Sequence, residues 1–223
     1  MNAQRLVLVV GVLAASVGCS RHDDAPRVFG AAETYSYLQK VGQIRVLINA
    51  DNKERIPAMI RGQDHVMLGA QAKKIDEYGH TLSMLSSNRV DPDAVTFTKN
   101  FETILDSYKS VCLDSAELYR EIKKANARPS GPIIVLPAIR PGTEPYQTDT
   151  IGTIDSLLES LGRMDSAART GAVFLQPIVD KLRDDRDKLR SAKVAHHEFT
   201  KKLKAEFPQR YPDLDWTSKE ILP

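Results

Sequence analysis

FTKNFETILDSYKSVCLDSAELYREI, residues 97–122, carries the pattern that decides the fold. Its apolar positions are Phe97, Phe101, Ile104, Tyr108, Val111, Leu118 and Ile122, with Ser115 keeping the register, and they alternate steps of four and three without a break. A 3.5-residue repeat of this kind lays one apolar seam along a helix. Lys99, Glu102, Asp106, Lys109, Asp114 and Lys123 are left for water or for pairs flanking the seam. Ahead of the run, Asp91-Pro92-Asp93 supplies a capping residue and a proline that the first turn tolerates. Behind it, Arg128-Pro129-Ser130-Gly131 stops the helix.

The same three/four rhythm returns further on, through Ile151, Ile154, Leu158, Leu161, Asp165, Ala168, Ala172, Leu175, Val179, Leu182, Arg186, Leu189, Lys193, His196, Thr200, Leu203 and Phe207. Gly171 and Pro177 fall inside this run, and a proline within a helix removes a backbone hydrogen bond and bends the axis. Read as one kinked helix from about Thr150 to Phe207, it extends roughly 85 Å at ~1.5 Å per residue. Polar residues dominate its seam from Arg186 to Thr200, which suits a projecting arm better than an apolar core. Around it, KLRDDRDKLRSAKVAHHEFTKKLK (181–204) reads as a solvated face braced by i,i+4 pairs such as Asp184 with Lys188.

Upstream, Tyr37, Val41, Ile44 and Ile48 have helical spacing, and a strand over 44–48 would have no partner to pair with. Asn49-Ala50-Asp51-Asn52 reads as a turn. Ile56, Ile60, Met67, Ile75, Tyr78, Leu82 and Leu85 then mark a second helix, weakened by Gly62, Gly69 and Gly79 and ended by Ser86-Ser87-Asn88. Pro129, Pro132, Pro137, Pro141 and Pro145 keep the next stretch extended around the apolar run Ile133-Ile134-Val135-Leu136. Such a connection either crosses one end of the bundle or offers an extended edge to a partner. The tail from Pro208 holds the single tryptophan, Trp216. The expected fold is therefore all-α: an elongated antiparallel bundle of about four helices with a long, kinked last helix. The bundle domain spans 31–207 and the C-terminal tail 208–223.

At the other end of the chain, Arg5 precedes an apolar run, Leu6–Leu13, and the small-residue exit Ser16-Val17-Gly18-Cys19. A basic start, a short apolar stretch and a small-residue exit are the marks of an export signal, and the stretch falls short of the ~20 apolar residues a membrane span needs. The ending resembles the lipobox of bacterial lipoproteins, departing from it at Ser16, where an aliphatic residue is usual. That resemblance implies removal of residues 1–18 and lipidation of Cys19, with residues 19–30 as a tether. Ser20 after the cysteine implies the outer membrane, with the protein facing the periplasm. A membrane anchor of several acyl chains follows, palmitate among them, each buried methylene contributing ~0.8 kcal/mol. Ordinary cleavage after Gly18 is the other reading, and it would leave Cys19 able to bridge Cys112.

The net charge is +2, with Lys and Arg totalling 31 against 29 for Asp and Glu. So even a balance leaves no basic footprint for nucleic acid. Glu77-Tyr78-Gly79-His80 has the Glu-x-x-His spacing of carboxylate-bridged metal bundles, but those sites need a second copy and two further glutamates. His196 and His197 diverge by ~100° on a helix and do not chelate one ion together. His65 beside Asp64 has no partner in sequence. The chain lacks Cys-x-x-Cys-His, Gly-x-Ser-x-Gly, His-Glu-x-x-His and a phosphate-binding glycine loop. Glu77, His80 and His196 are thus the weak candidates for a metal, and no catalytic residue and no cofactor is expected. The reading is a non-enzymatic, lipid-anchored envelope protein acting through helix contacts with an envelope partner. A periplasmic bundle binding a ligand or metal is the alternative.

Overall fold

The structure is a computed structural model that describes residues 29–128, 133–136, 139, 149–164, 172–216, 218, 221 and 222. Among the described residues all regular structure is helical. The elements are α1 (Ala31–Ala50), a π-helical turn (Asp51–Arg55), α2 (Ile56–Arg61), α3 (His65–Ser83), α4 (Pro92–Asn126), α5 (Thr150–Gly162), a 3-10 turn (Val173–Leu175) and α6 (Gln176–Arg210). At 35 residues each, α4 and α6 run about 50 Å at ~1.5 Å per residue. The expected elongated helical bundle with a long last helix is what the chain forms.

The 3.5-residue seam makes α4 the central element. Phe97, Phe101, Ile104, Tyr108, Val111, Leu118 and Ile122 are all buried along it. Asp91 caps its start by accepting the Asp93 N–H at 2.8 Å, and Pro92 sits in the first turn. α3 packs on one side of α4 and α6 on another, both antiparallel to it: Asp76 meets Lys109, Asp114 meets Lys181, and Asp93 meets Lys202. α1 runs parallel to α4, with the Asp91 N–H donating to Thr34 Oγ1 at 3.0 Å. The Tyr119 hydroxyl bonds the Ile60 carbonyl at 2.7 Å. α5 lies antiparallel to α6, joined by Arg190 to Asp155 at 2.8 Å and by Lys193 to Asp149 at 3.0 Å.

Three expected element boundaries change. The run from Ile151 to Phe207 is two helices rather than one. α5 ends at Gly162, and the later helix begins through the 3-10 turn, with Pro177 in the first turn of α6 where its missing N–H costs nothing. The run from Ile56 to Leu85 breaks at Gly62-Gln63-Asp64, where Gln63 takes a φ of 54° and Asp64 starts α3 by accepting the Met67 N–H at 3.0 Å. Asn49–Asn52 is no turn, since α1 continues into the π-helical turn without leaving helical geometry.

The last helix does not project. Leu182, Asp185, Leu189, His196, Thr200, Leu203 and Phe207 are buried along α6, so its seam packs on α4 from end to end. The tail then folds back, burying Trp216, Ile221 and Leu222. Trp216 meets Phe207 and Tyr35 edge-on, with centroids 5.1 and 5.5 Å apart. Its indole N–H donates to the Tyr211 carbonyl at 2.9 Å.

Candidate functional site

The residues that sequence singles out do not converge. Cys19 lies outside the described residues. Glu77 and His80 are exposed on α3, and His65 is half-buried at that helix's first position. His80 lines an open groove between α3 and α4 together with Asp76, Glu102, Asp106 and Lys109, where desolvation and then the Asp106 charge raise the Glu102 carboxyl. Lys109 is bonded to Asp76.

His196, read as part of a solvated face, is instead in the core. Its ring lies against Phe97 and Phe101, centroids 4.5 and 5.8 Å away, and neither ring nitrogen has a hydrogen-bond partner. Burial, then the Arg45 cation nearby, pushes its pKa down to about 4. His197 faces water. A grouping of three or more His, Cys, Asp or Glu able to hold a metal is not found among the described residues. Cys112 is fully buried, and desolvation pushes its thiol up to about 12, so it is not a nucleophile near neutral pH.

What the fold does assemble is a molecule with two unlike poles. At the entry pole the chain arrives at Gly30, whose N–H donates to the Arg89 carbonyl at 2.8 Å. Asp91 there accepts from the Tyr211 hydroxyl at 2.6 Å and from Arg210 at 3.1 Å. Arg210 also reaches Asp93 at 2.7 Å. The aromatic cluster of Tyr35, Phe207, Tyr211 and Trp216 closes that end.

The far pole holds the end of α4, α2, the start of α3 and the 3-10 turn. Several large apolar side chains there face water while Ile60, Leu68, Ile122 and Leu175 are buried: Val66, Met67, Ile133, Val135, Val173 and Phe174 are exposed, Ile133 by 75% and Val135 by 71%. Met84, at the entry end of α3, is exposed as well. The Asn126 amide holds the 133–136 segment there, donating to the Ile134 carbonyl at 2.8 Å and accepting its N–H at 2.7 Å. Ile134 and Leu136 consequently turn inward while Ile133 and Val135 turn out. Beside it, Leu158, Leu161, Met164, Leu175, Val179 and Arg183 help line a cavity of about 230 Å³ between α5 and α6.

Two polar groupings escape a reading by spacing. Asp51 in the π-helical turn is buried and accepts from Gln71 at 2.9 Å and Lys74 at 3.1 Å on α3, with Arg55 at 3.3 Å. Asp114, counted among the solvated residues of α4, is fully buried and meets Asp185 of α6. The signal for the second was present, because Leu182, Asp185 and Leu189 keep the three/four rhythm as well as Leu182, Arg186 and Leu189 do. Among the described residues no helix is long and apolar enough to cross a membrane. Comparison with protein-family models, with curated proteins and with solved structures gives no match to this chain.

Proposed function

We propose that this chain is a non-enzymatic lipoprotein of the cell envelope, held at the outer membrane by a lipidated Cys19, facing the periplasm and acting through helix-mediated contacts with another envelope protein. The observation that carries the reading is the contrast between the poles. The chain enters at the closed pole, so a tether from Cys19 to Gly30 would leave from that side. At ~3.3–3.6 Å per residue the tether gives up to roughly 40 Å of reach. The exposed apolar side chains at the start of α3, Val66 and Met67, with those of the 133–136 segment and of the 3-10 turn, then face away from the membrane, and Met84 at the other end of α3 is the exception. Clustered apolar exposure on a folded protein marks an interaction surface more often than chance, and a partner helix laying its own apolar stripe there is the simplest occupant.

A photo-reactive residue placed at Phe174 in intact cells tests this. A single stoichiometric protein adduct is expected there, absent when the probe sits at Val194 on the flank of α6, and lost when Cys19→Ala releases the chain from the membrane. Equal adducts from both positions, or capture indifferent to Cys19, would overturn the reading. The alternative, a ligand-binding bundle, draws support only from the cavity between α5 and α6, whose mostly aliphatic lining suits a small apolar molecule. It draws none from Glu77 and His80, exposed side by side on α3, or from His196, which is enclosed in the core on α6 away from them.

A further inference from the structure

The geometry points to a proton-operated clasp between α4 and α6, in which Asp114 and Asp185 hold the two helices together through one shared proton and release them when it leaves. This goes beyond the contact reading above and does not depend on it. Asp114 is fully enclosed and Asp185 nearly so, on helices that face each other. Asp114 accepts from the Lys181 ammonium through Oδ1, whereas its Oδ2 is buried with no N–H or O–H donor against it. A hydrogen bond between the Asp114 and Asp185 carboxyls requires a proton held between them, and Oδ2 is the Asp114 oxygen left open to it.

Two carboxylates this close do not both ionise readily, and burial of an unpaired charge is costly. Desolvation first, and then the Asp185 contact, lifts Asp114 to about 6, while Lys181 pulls the other way. Asp185 ends lowered: desolvation would raise it, but the hydrogen bond with Asp114 and the Lys188 ammonium together outweigh that. Other charges near the pair are Asp184 on α6 and Glu117 on α4. The 3-10 turn that also packs on α4 is apolar. Lys181 and Lys188 have their side chains 60% and 70% exposed, so water screens both and neither offsets a second buried negative charge fully.

The sign follows from linkage. A carboxyl raised in the folded state favours folding below its ordinary pKa and loses that contribution as pH rises through about 6. The lowered Asp185 contributes above the ordinary carboxylate value and loses it as pH falls below that value. The clasp is therefore closed between about 4 and 6, carrying one proton, which passes to bulk water as it opens. The first turns of α6 lie directly ahead of Asp185, so opening loosens the stretch that lines the cavity at Val179 and Arg183.

Amide hydrogen exchange on the full chain, corrected for the intrinsic pH dependence of exchange, tests the clasp over residues 176–190 at pH 5.5 and 7.5. Each pKa unit titrated between closed and open forms changes an equilibrium tenfold. With a closed-form value of about 6 only about 0.6 of a unit is titrated between these pH values, so opening should rise about fourfold at the higher pH in the parent. Asp114→Asn places a permanent N–H donor where the proton sat. It should keep these amides protected at both pH values, and Asp185→Asn should do the same from the other side. Protection in the parent that does not change with pH overturns the proposal, as does pH-dependent opening that survives in both variants.

Discussion

His196 is a titratable ring in an apolar slot, and its chemistry sets an acid limit on the bundle. Neither nitrogen bonds to anything, Phe97 and Phe101 lie against it, and its folded pKa is about 4 against an ordinary 6.5. A depressed pKa of this kind leaves the full stabilisation above 6.5 and removes it progressively as pH falls toward 4. At 1.36 kcal/mol per unit the loss approaches 3 kcal/mol at the acid end. His196→Leu, similar in volume and unable to charge, should remove roughly 2–3 kcal/mol of acid lability between pH 7 and 4.5, measured by urea unfolding at both. Equal acid lability in parent and variant would count against this account. Sequence had put His196 on the seam by spacing, yet its neighbours are so charged that the whole stretch read as solvated. Periodicity was the better guide there. At Asp114 spacing left two equal registers, since Val111, Asp114 and Leu118 keep the three/four rhythm as well as Val111, Ser115 and Leu118 do, and only the partner helix, with Asp185 on it, shows that both positions are covered.

At the scale of elements, the seams of α4 and α1 and the Asp91-Pro92 start were legible because they rest on local rules: a 3.5-residue period, a capping carboxylate and a proline in the first turn. The breaks were less so. Gly62-Gln63-Asp64 holds a left-handed Gln63 at φ 54°, a position that costs a residue with a Cβ about 1 kcal/mol and that tertiary packing has to hold. The π-helical turn at Asp51–Arg55 left no trace in the pattern, since it inserts within a continuous helix and is fixed from outside by α3. Gln71 and Lys74 reach across to Asp51, and Arg55 closes on it from the next turn. Gln71 is buried, so removing the carboxylate leaves an amide donor without a partner. Asp51→Ala should therefore destabilise the fold by about 1–3 kcal/mol, the cost of a buried donor left without a partner, since Lys74 and Arg55 are open enough to be solvated once released. Its effect should also appear as faster amide exchange at 51–55 and 68–75 relative to the rest of α3. A loss under about 0.5 kcal/mol, the range of an ordinary surface change, would mean that the turn is held by its apolar neighbours Ile48, Ile56 and Ile60 instead.

For the whole molecule the decisive question is whether the last helix is a separable arm or a wall of the core, and packing answers it where spacing could not. A seam with Arg186, Lys193, His196 and Thr200 looks too polar to be covered. In the fold those residues find different fates: Arg186 pairs with Asp155 of α5, Lys193 with Asp149, and Thr200 turns its hydroxyl back to the His196 carbonyl at 2.7 Å. The apolar positions of the same seam, Leu189, Leu203 and Phe207, are completely buried. Beyond them the tail adds Trp216, Ile221 and Leu222 to the closed pole. Truncating any one large core side chain costs about 2–5 kcal/mol, against a total stability of about 5–15 kcal/mol for a typical domain. A chain ending at Arg183 loses all of these together, along with the Arg210 and Tyr211 bonds that hold Asp91 at the start of α4. It should not fold, giving collapsed helical signal by circular dichroism and no dispersed amide spectrum. A cooperative, well-dispersed 1–183 fragment would restore the separable arm and undo the contrast between the poles, since α4 would then present an open apolar seam along its flank. Any search for a partner would have to begin on that flank rather than at the far end.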